Sequence, residues 1–302
     1  MNAAERIQEL KAQRKAIILA HNYQPPEVQD IADFVGDSLG LSQKAASTDA
    51  EVIIFCGVDF MAESAKILSP EKIVILPESD AMCPMSAMCT DLELGPMKER
   101  YPEAAVVAYV NTSAAVKALA DVCCTSSNAV KVVGKIPQKL IIFVPDRNLG
   151  AYVQRFHPDK EILLWPGYCP THHDISVREI KELQRQHPQA KVMVHPECIP
   201  DVIDLADNVS STEGMIKYAR TNEAMEFIVG TEVDMTYRLS KESPDKKFFP
   251  VPSAVCPNMK RTTISSLVRA LETMSPEITL SPEIIEAARK PLERMMEIGH
   301  GD

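Results

Sequence analysis

No stretch of this chain is apolar for anything near the ~18 residues a membrane span needs, so a helical membrane protein is not expected. The start, MNAAERIQELKAQRK, lacks the pattern of a signal peptide and reads as a charged amphipathic helix. Positive charge is in deficit: 32 Lys and Arg stand against 42 Asp and Glu. With a net charge of −10 and no basic stripe, nucleic-acid binding is not expected. No low-complexity linker divides the 302 residues, which argues for one compact body. There is no C-x-x-C pair, and so no short loop of the kind that usually folds round a zinc ion. The expected location is the cytoplasm. In that reducing compartment the eight cysteines serve a metal or catalysis rather than disulfides.

What the chain does have is a period. Cys-Pro occurs at Cys83-Pro84, Cys169-Pro170 and Cys256-Pro257, spaced by 86 and 87 residues. Each pair follows an apolar run that ends in proline: KIVILPESDAMCP, EILLWPGYCP and KKFFPVPSAVCP. A fixed period points to a repeated structural unit. The simplest reading is an α/β fold of three repeated α/β/α three-layer units, with parallel sheets around a pseudo-threefold axis. The expected boundaries are 1–83 together with C-terminal helices in 257–302, then 84–169, then 170–256.

Runs such as AIILAHN, EVIIFCG, AVVAYVN, KLIIFVPD, KVMVHPE and EFIVGTE are continuous enough for buried parallel strands, and helical patterns alternate with them. The first unit shows three such runs where the others show four. A long segment from Tyr23 to Ala50 separates its first two, and within it Asp37 or Ser38 is placed to cap a helix. Asp121 and Asn208 each open a middle strand, 48 residues before the cysteine of their unit. In the last helix Ser281 is the expected N-cap, Pro282 the first helical residue, Gly299 the stop and Pro291 a kink. Both terminal helices are expected to pack on the first unit.

Ligand sites in open α/β sheets lie beyond the carboxyl ends of the strands. Those ends are polar here: His21-Asn22-Tyr23, Tyr109-Val110-Asn111 and His195-Pro196-Glu197 occupy matching places. The middle strands end in Ser126-Ser127 and Ser211-Thr212, each running into a helix whose N-terminus suits a phosphate or carboxylate. An anion site in an acidic protein needs local help from peptide dipoles, His21, His195 and a metal centre. Three strand-end cysteines around one axis would make that centre. Zinc or an iron–sulfur cluster would suit the thiolates, and a three-cysteine cubane leaves one iron open to act as a Lewis acid on a substrate oxygen. Three unrelated core cysteines are the remaining alternative.

At this point the sequence resembles the quinolinate synthase family. The resemblance runs through AHNYQPPEVQDIADFVGDSLGLS, AYVNTSA, CTSSNA, PDRNLG, WPGYCPTHH, HPEC, STEGM and VCPNM. It implies a triplicated α/β fold with the active site where the units meet. It also implies condensation of iminoaspartate with dihydroxyacetone phosphate to quinolinate, with loss of phosphate and water, in NAD biosynthesis. A [4Fe-4S] cluster on Cys83, Cys169 and Cys256 follows from the same resemblance. So does a functional link to an aspartate oxidase or dehydrogenase that supplies the iminoaspartate. The matching substrate-binding positions are His21, Ser38, Tyr109, Asn111, Ser126, His195, Glu197 and Thr212, with Ser211 beside the last. Tyr23 falls at an acid/base position. Among the remaining catalytic candidates, Glu197 is the expected base, His195 a proton carrier and Tyr109 a further participant.

Each of these residues has a plainer reading as well. His21 could be a satisfied core histidine, Ser38, Ser126, Ser211 and Thr212 helix caps, and Asn111 a turn residue. Cys56, Cys123 and Cys124 are expected in the core, Cys89 and Cys198 as bystanders, and His172-His173 as loop residues near the cysteines. Two other functions compete: an iron–sulfur hydro-lyase without a phosphate site, and a non-enzymatic zinc or anion-binding protein.

Overall fold

Strands Val52–Cys56 and Ala105–Tyr109 are buried at every residue, which only a sheet covered on both faces allows. The structure is a computed structural model that describes residues 2–301, so the ends of the expected first unit, Met1 and Asp302, lie outside the described residues. The first sheet holds β1 (Ala16–His21), β2 (Phe34–Gly36), β3 (Val52–Cys56) and β4 (Ile73–Ile75), in the order β2-β1-β3-β4. The second holds β5 (Ala105–Tyr109), β6 (Val122–Cys124), β7 (Leu140–Val144) and β8 (Glu161–Leu164), in the order β6-β5-β7-β8. The third holds β9 (Lys191–Val194), β10 (Asn208–Val209), β11 (Glu226–Gly230) and β12 (Lys247–Pro250), in the order β10-β9-β11-β12. Every pairing within them is parallel. Helices flank each sheet, giving the three-repeat α/β/α architecture.

The first sheet therefore has four strands like the others. The Tyr23–Ala50 segment contains β2, whose three residues Phe34, Val35 and Gly36 are too few to show a strand period. A tie repeated in all three sheets locates the matching residues. Asp33 Oδ2 accepts the N–H of Ile18 at 2.7 Å, Asp121 Oδ2 that of Val106 at 2.8 Å, and Asp207 Oδ2 that of Val192 at 2.8 Å. In each case 15 residues separate acceptor and donor. The partner of Asp121 is thus Asp207 rather than Asn208, which already lies in β10. Lysines repeat too: Lys72, Lys160 and Lys246 each donate to two carbonyls at the end of the helix that follows the second strand. Such caps satisfy carbonyls that have no partner within the helix.

Large side chains such as Phe55, Phe60, Phe143 and Phe227 are fully buried between sheets and helices, each contributing about 1.5–3 kcal/mol relative to exposure. The helix Ile264–Thr273 lies against the helix Ala3–Arg14 and β3, on the first unit as expected. The helix Pro282–Ile298 departs from that expectation. It runs along the helix Ala114–Leu119 and β6 of the second unit, touching Asp59–Leu68 of the first. Ser281 caps it, and it continues through Pro291 to Gly299, whose N–H returns to Met295 and Met296. Among the described residues no helix is long and apolar enough to cross a membrane.

Candidate active site

The carboxyl ends of all three sheets open on one cavity. The ends of the first strands and the loops after them bring His21, Tyr23, Tyr109, Asn111, His195 and Glu197 to it. The loops after the second strands bring Ser38, Ser126 and Thr212, and those after the fourth strands Cys83, Cys169 and Cys256. Ser38 and Thr212 each start a helix, capped by Asp37 and Ser211 through the N–H groups of Gly40 and Gly214. Ser211 is thus placed as a cap, one residue away from the cavity wall. Thr212 Oγ1 accepts from Asn22 Nδ2 at 2.8 Å.

A hydrogen-bonded path crosses the floor of the cavity. Tyr23 Oη lies 2.6 Å from Thr231 Oγ1, and Thr231 Oγ1 lies 2.7 Å from His172 Nε2. His172 Nδ1 is 2.9 Å from Glu197 Oε2, which is also 3.0 Å from His195 Nδ1. The two imidazoles stack with ring centroids 4.5 Å apart. Glu197 is only 2 % exposed. Burial alone would keep it protonated, but His172 and His195 outweigh that and hold the carboxyl well below its usual range. Its other oxygen, Oε1, has no partner among the described residues, and neither does Asn111 Oδ1. Buried acceptors left open in a cavity are where a ligand's donors fit.

His21, Tyr23 and Tyr109 are held neutral. His21 is pushed down to about 4 by burial, only partly offset by Asp37. Its Nδ1 accepts the N–H of Tyr23 at 3.2 Å, so the neutral ring carries its proton on Nε2. Burial pushes the hydroxyls of Tyr23 and Tyr109 far up. Lys260 supplies a cation at the edge: its Nζ donates to Glu232 Oε1 at 2.7 Å and to the Tyr23 carbonyl at 2.9 Å.

Two donor sets can hold a metal. The first is Cys83, Cys169 and Cys256, one from each sheet. Burial pushes all three thiols up, and a negative charge on Cys83 disfavours one on Cys169, as one on Cys256 does on Cys83. A cationic centre among them would favour the thiolate forms, so the three thiols could serve as metal ligands. The second set is Cys169, His172 and Glu197, whose donor atoms all lie within 4.8 Å of one another. It shares Cys169 with the first set, but its histidine and carboxylate already serve the path to Tyr23.

His172 is the main departure from the sequence reading. It is not a loop residue near the cysteines but the central link of the path, in the short helix Pro170–His173. His173 turns away, to Arg147 and Asn148. Thr231 was not singled out, although it follows β11 in a polar strand end, GTE, of the kind that marked the other site residues. Cys56, Cys123 and Cys124 are buried within strands, and Cys89 and Cys198 are buried and lie outside the cavity wall.

A sequence profile described as "Quinolinate synthetase A protein" matches residues 5–297. A quinolinate synthase from Caldicellulosiruptor saccharolyticus is 51% identical over 293 residues, covering 97% of both chains. One from Geotalea uraniireducens is 54% identical over 293 residues, covering 97% of this chain and 96% of its own. Quinolinate synthase 1 from Methanosarcina acetivorans is 51% identical over 295 residues, covering 97% of both. Matched from end to end by the profile and by these relatives, the chain belongs to the quinolinate synthetase A protein family.

Proposed function

We propose that the protein is a quinolinate synthase, an enzyme that condenses iminoaspartate with dihydroxyacetone phosphate in NAD biosynthesis. One carbon–carbon bond and one carbon–nitrogen linkage form, and one phosphate and two water molecules leave. The observation that carries this reading is that Cys83, Cys169 and Cys256, from three different sheets, line the cavity that also holds Glu197 and Tyr23. A [4Fe-4S] cluster held by these cysteines would leave one iron without a protein ligand and supply Lewis acidity toward a substrate oxygen. The eight cysteines are all free, in keeping with a cytoplasmic enzyme fed by an aspartate oxidase or dehydrogenase.

The chain's own residues divide the remaining work. Ser38, Ser126 and Thr212, with the helix N-termini beside them, bind carboxylate and phosphate oxygens. The Nε2–H of His21 donates to a substrate oxygen, and Asn111 and Tyr109 orient the substrate. Glu197 takes a substrate proton on Oε1 while His172 and His195 fix Oε2. Protons then move between Glu197 and Tyr23 through His172 and Thr231.

The test is turnover under anaerobic conditions after loading with iron and sulfide. Iminoaspartate would be generated in place by an aspartate oxidase. Quinolinate and phosphate should appear in equal amounts and only when dihydroxyacetone phosphate is present. Iron-loaded protein that forms no quinolinate overturns the reading, and dehydration of a hydroxy acid without the phosphate substrate would favour a hydro-lyase. The second donor set predicts colourless protein with one zinc per chain.

A further inference from the structure

The repeat allows the three cysteine loops to be compared bond by bond. The backbone N–H of Cys83 donates to Asp59 Oδ1 at 2.9 Å, that of Cys169 to Asp146 Oδ2 at 3.1 Å, and that of Cys256 to Glu232 Oε1 at 3.3 Å. The acid precedes its cysteine by 24, 23 and 24 residues. A second bond runs the other way. The N–H groups of Asp59, Arg147 and Val233 donate to the carbonyls of Ala81, Gly167 and Ala254, each at 2.9 Å. Those carbonyls lie two residues before the cysteines. In every unit, the segment after the third strand therefore clamps the loop after the fourth by an acid and a backbone N–H, both from Asp59 in the first unit and from adjacent residues in the other two.

Helix capping does not explain the acids. Asp146 does cap its helix, through Asn148 and Leu149. Asp59, however, is the first residue inside its helix, after an N-cap Val58 that makes no side-chain bond. Glu232 stands before the N-cap Asp234, whose side chain makes none either; Glu232 Oε2 accepts the Asp234 N–H at 2.9 Å and Oε1 also holds Lys260 at 2.7 Å. What the three acids share is the bond to a cysteine N–H.

We propose that Asp59, Asp146 and Glu232 are positioning residues of the three-cysteine centre, each fixing the loop conformation from which one ligand sulfur leaves the backbone. The inference rests on the three-cysteine reading of the site. With its N–H tied to the carboxylate and the carbonyl two residues back also tied, each loop is set before metal arrives. The tie also keeps the cysteine N–H from turning toward a metal-bound sulfur, and hydrogen bonds to sulfur are one control of a cluster's electronic properties. At Gly167 the clamp leaves no room for a side chain, because a Cβ there would sit 2.5 Å from the Pro145 carbonyl oxygen.

The test compares the parent with Asp59→Ala, Asp59→Asn, Glu232→Ala and Glu232→Gln, all loaded anaerobically with iron and sulfide. Asp146 is set aside because its loss would also uncap a helix. The readouts are iron and sulfide per chain, the paramagnetic resonance spectrum of the reduced protein, the rate of iron loss to EDTA, and thermal unfolding. The alanine variants should lose iron about ten-fold faster than the parent and show an altered spectrum, the usual scale for losing a group that orients a metal ligand. The Asn and Gln variants keep an acceptor and should stay within about two-fold of the parent. Alanine variants that match the parent in both iron loss and spectrum overturn the proposal. So do variants whose faster loss follows a lowered melting temperature with the spectrum unchanged. A parent that takes up no iron and sulfide overturns the three-cysteine reading, and the proposal falls with it.

Discussion

The hydroxyls of Tyr23 and Thr231 lie 2.6 Å apart, although 208 residues separate them in the chain. One sits after the first strand of the first sheet and the other after the third strand of the third, and His172, in the short helix that follows Cys169, completes the contact. No single unit contains the path from Glu197 to Tyr23.

That path makes Thr231 testable. Thr231→Ala removes its only hydroxyl and should lower kcat about 10²-fold, the scale of interrupted proton transfer, with iron content unchanged. Thr231→Ser restores the hydroxyl and should recover most of the rate. Equal rates for the alanine and serine variants would leave the hydroxyl with no part in the chemistry.

Glu197→Gln keeps the shape of the side chain but cannot take a proton. Turnover should fall by at least about 10²-fold while the iron and sulfide content stays at the parent level. Loss of metal in this variant would instead mark Glu197 as a ligand, in the set it forms with Cys169 and His172.

Single Cys→Ala changes sort the two donor sets. Loss of Cys83, Cys169 or Cys256 should each remove most of the iron, sulfide and activity, because alanine offers no thiolate. Loss of Cys56, Cys89, Cys123, Cys124 or Cys198 should spare the metal and lower stability by about 1–2 kcal/mol through the small cavity left behind. If only Cys169 matters, the centre is a single ion.

Ser126→Ala and Thr212→Ala should raise KM several-fold without loss of iron, since each removes a hydroxyl donor from the cavity wall and no ligand. Thr212 also anchors Asn22, so its variant should show the larger effect. Unchanged saturation curves for both would reduce these hydroxyls to structural groups.

His21 gives a pH signature. Its folded value of about 4 lies below the ordinary 6.5. Between those limits the unfolded chain binds a proton that the folded chain refuses, so this group makes stability fall as pH falls through the window. From pH 7 to pH 5 the parent should lose about 2 kcal/mol more than His21→Asn in denaturant unfolding. Parallel losses in the two proteins would show that the ring is not held neutral.

The repeat, the strands and the cysteines were legible in the sequence because each leaves a local mark: an apolar run, a proline stop, a Cys-Pro pair. Strand β2 was not, because three residues ending in glycine carry no period. The Asp121–Asn208 match was off by one residue, since spacing counted back from the cysteines ignores small differences in loop length. His172 and Thr231 were missed as partners because their roles come from a contact between units, which no single stretch of sequence contains. The path of Pro282–Ile298 along the second sheet is likewise decided by two surfaces far apart in the chain.

The spread of the three cysteines over the chain bears on the order of events during synthesis. When the first two units have left the ribosome, Cys83 and Cys169 are present but Glu197 and Cys256 are not yet in place. Cys256 follows Cys169 by 87 residues, so the thiol set closes only once the third unit has been made. If the three cysteines hold the proposed cluster, a product truncated before β12 should emerge without colour however much iron the cell supplies.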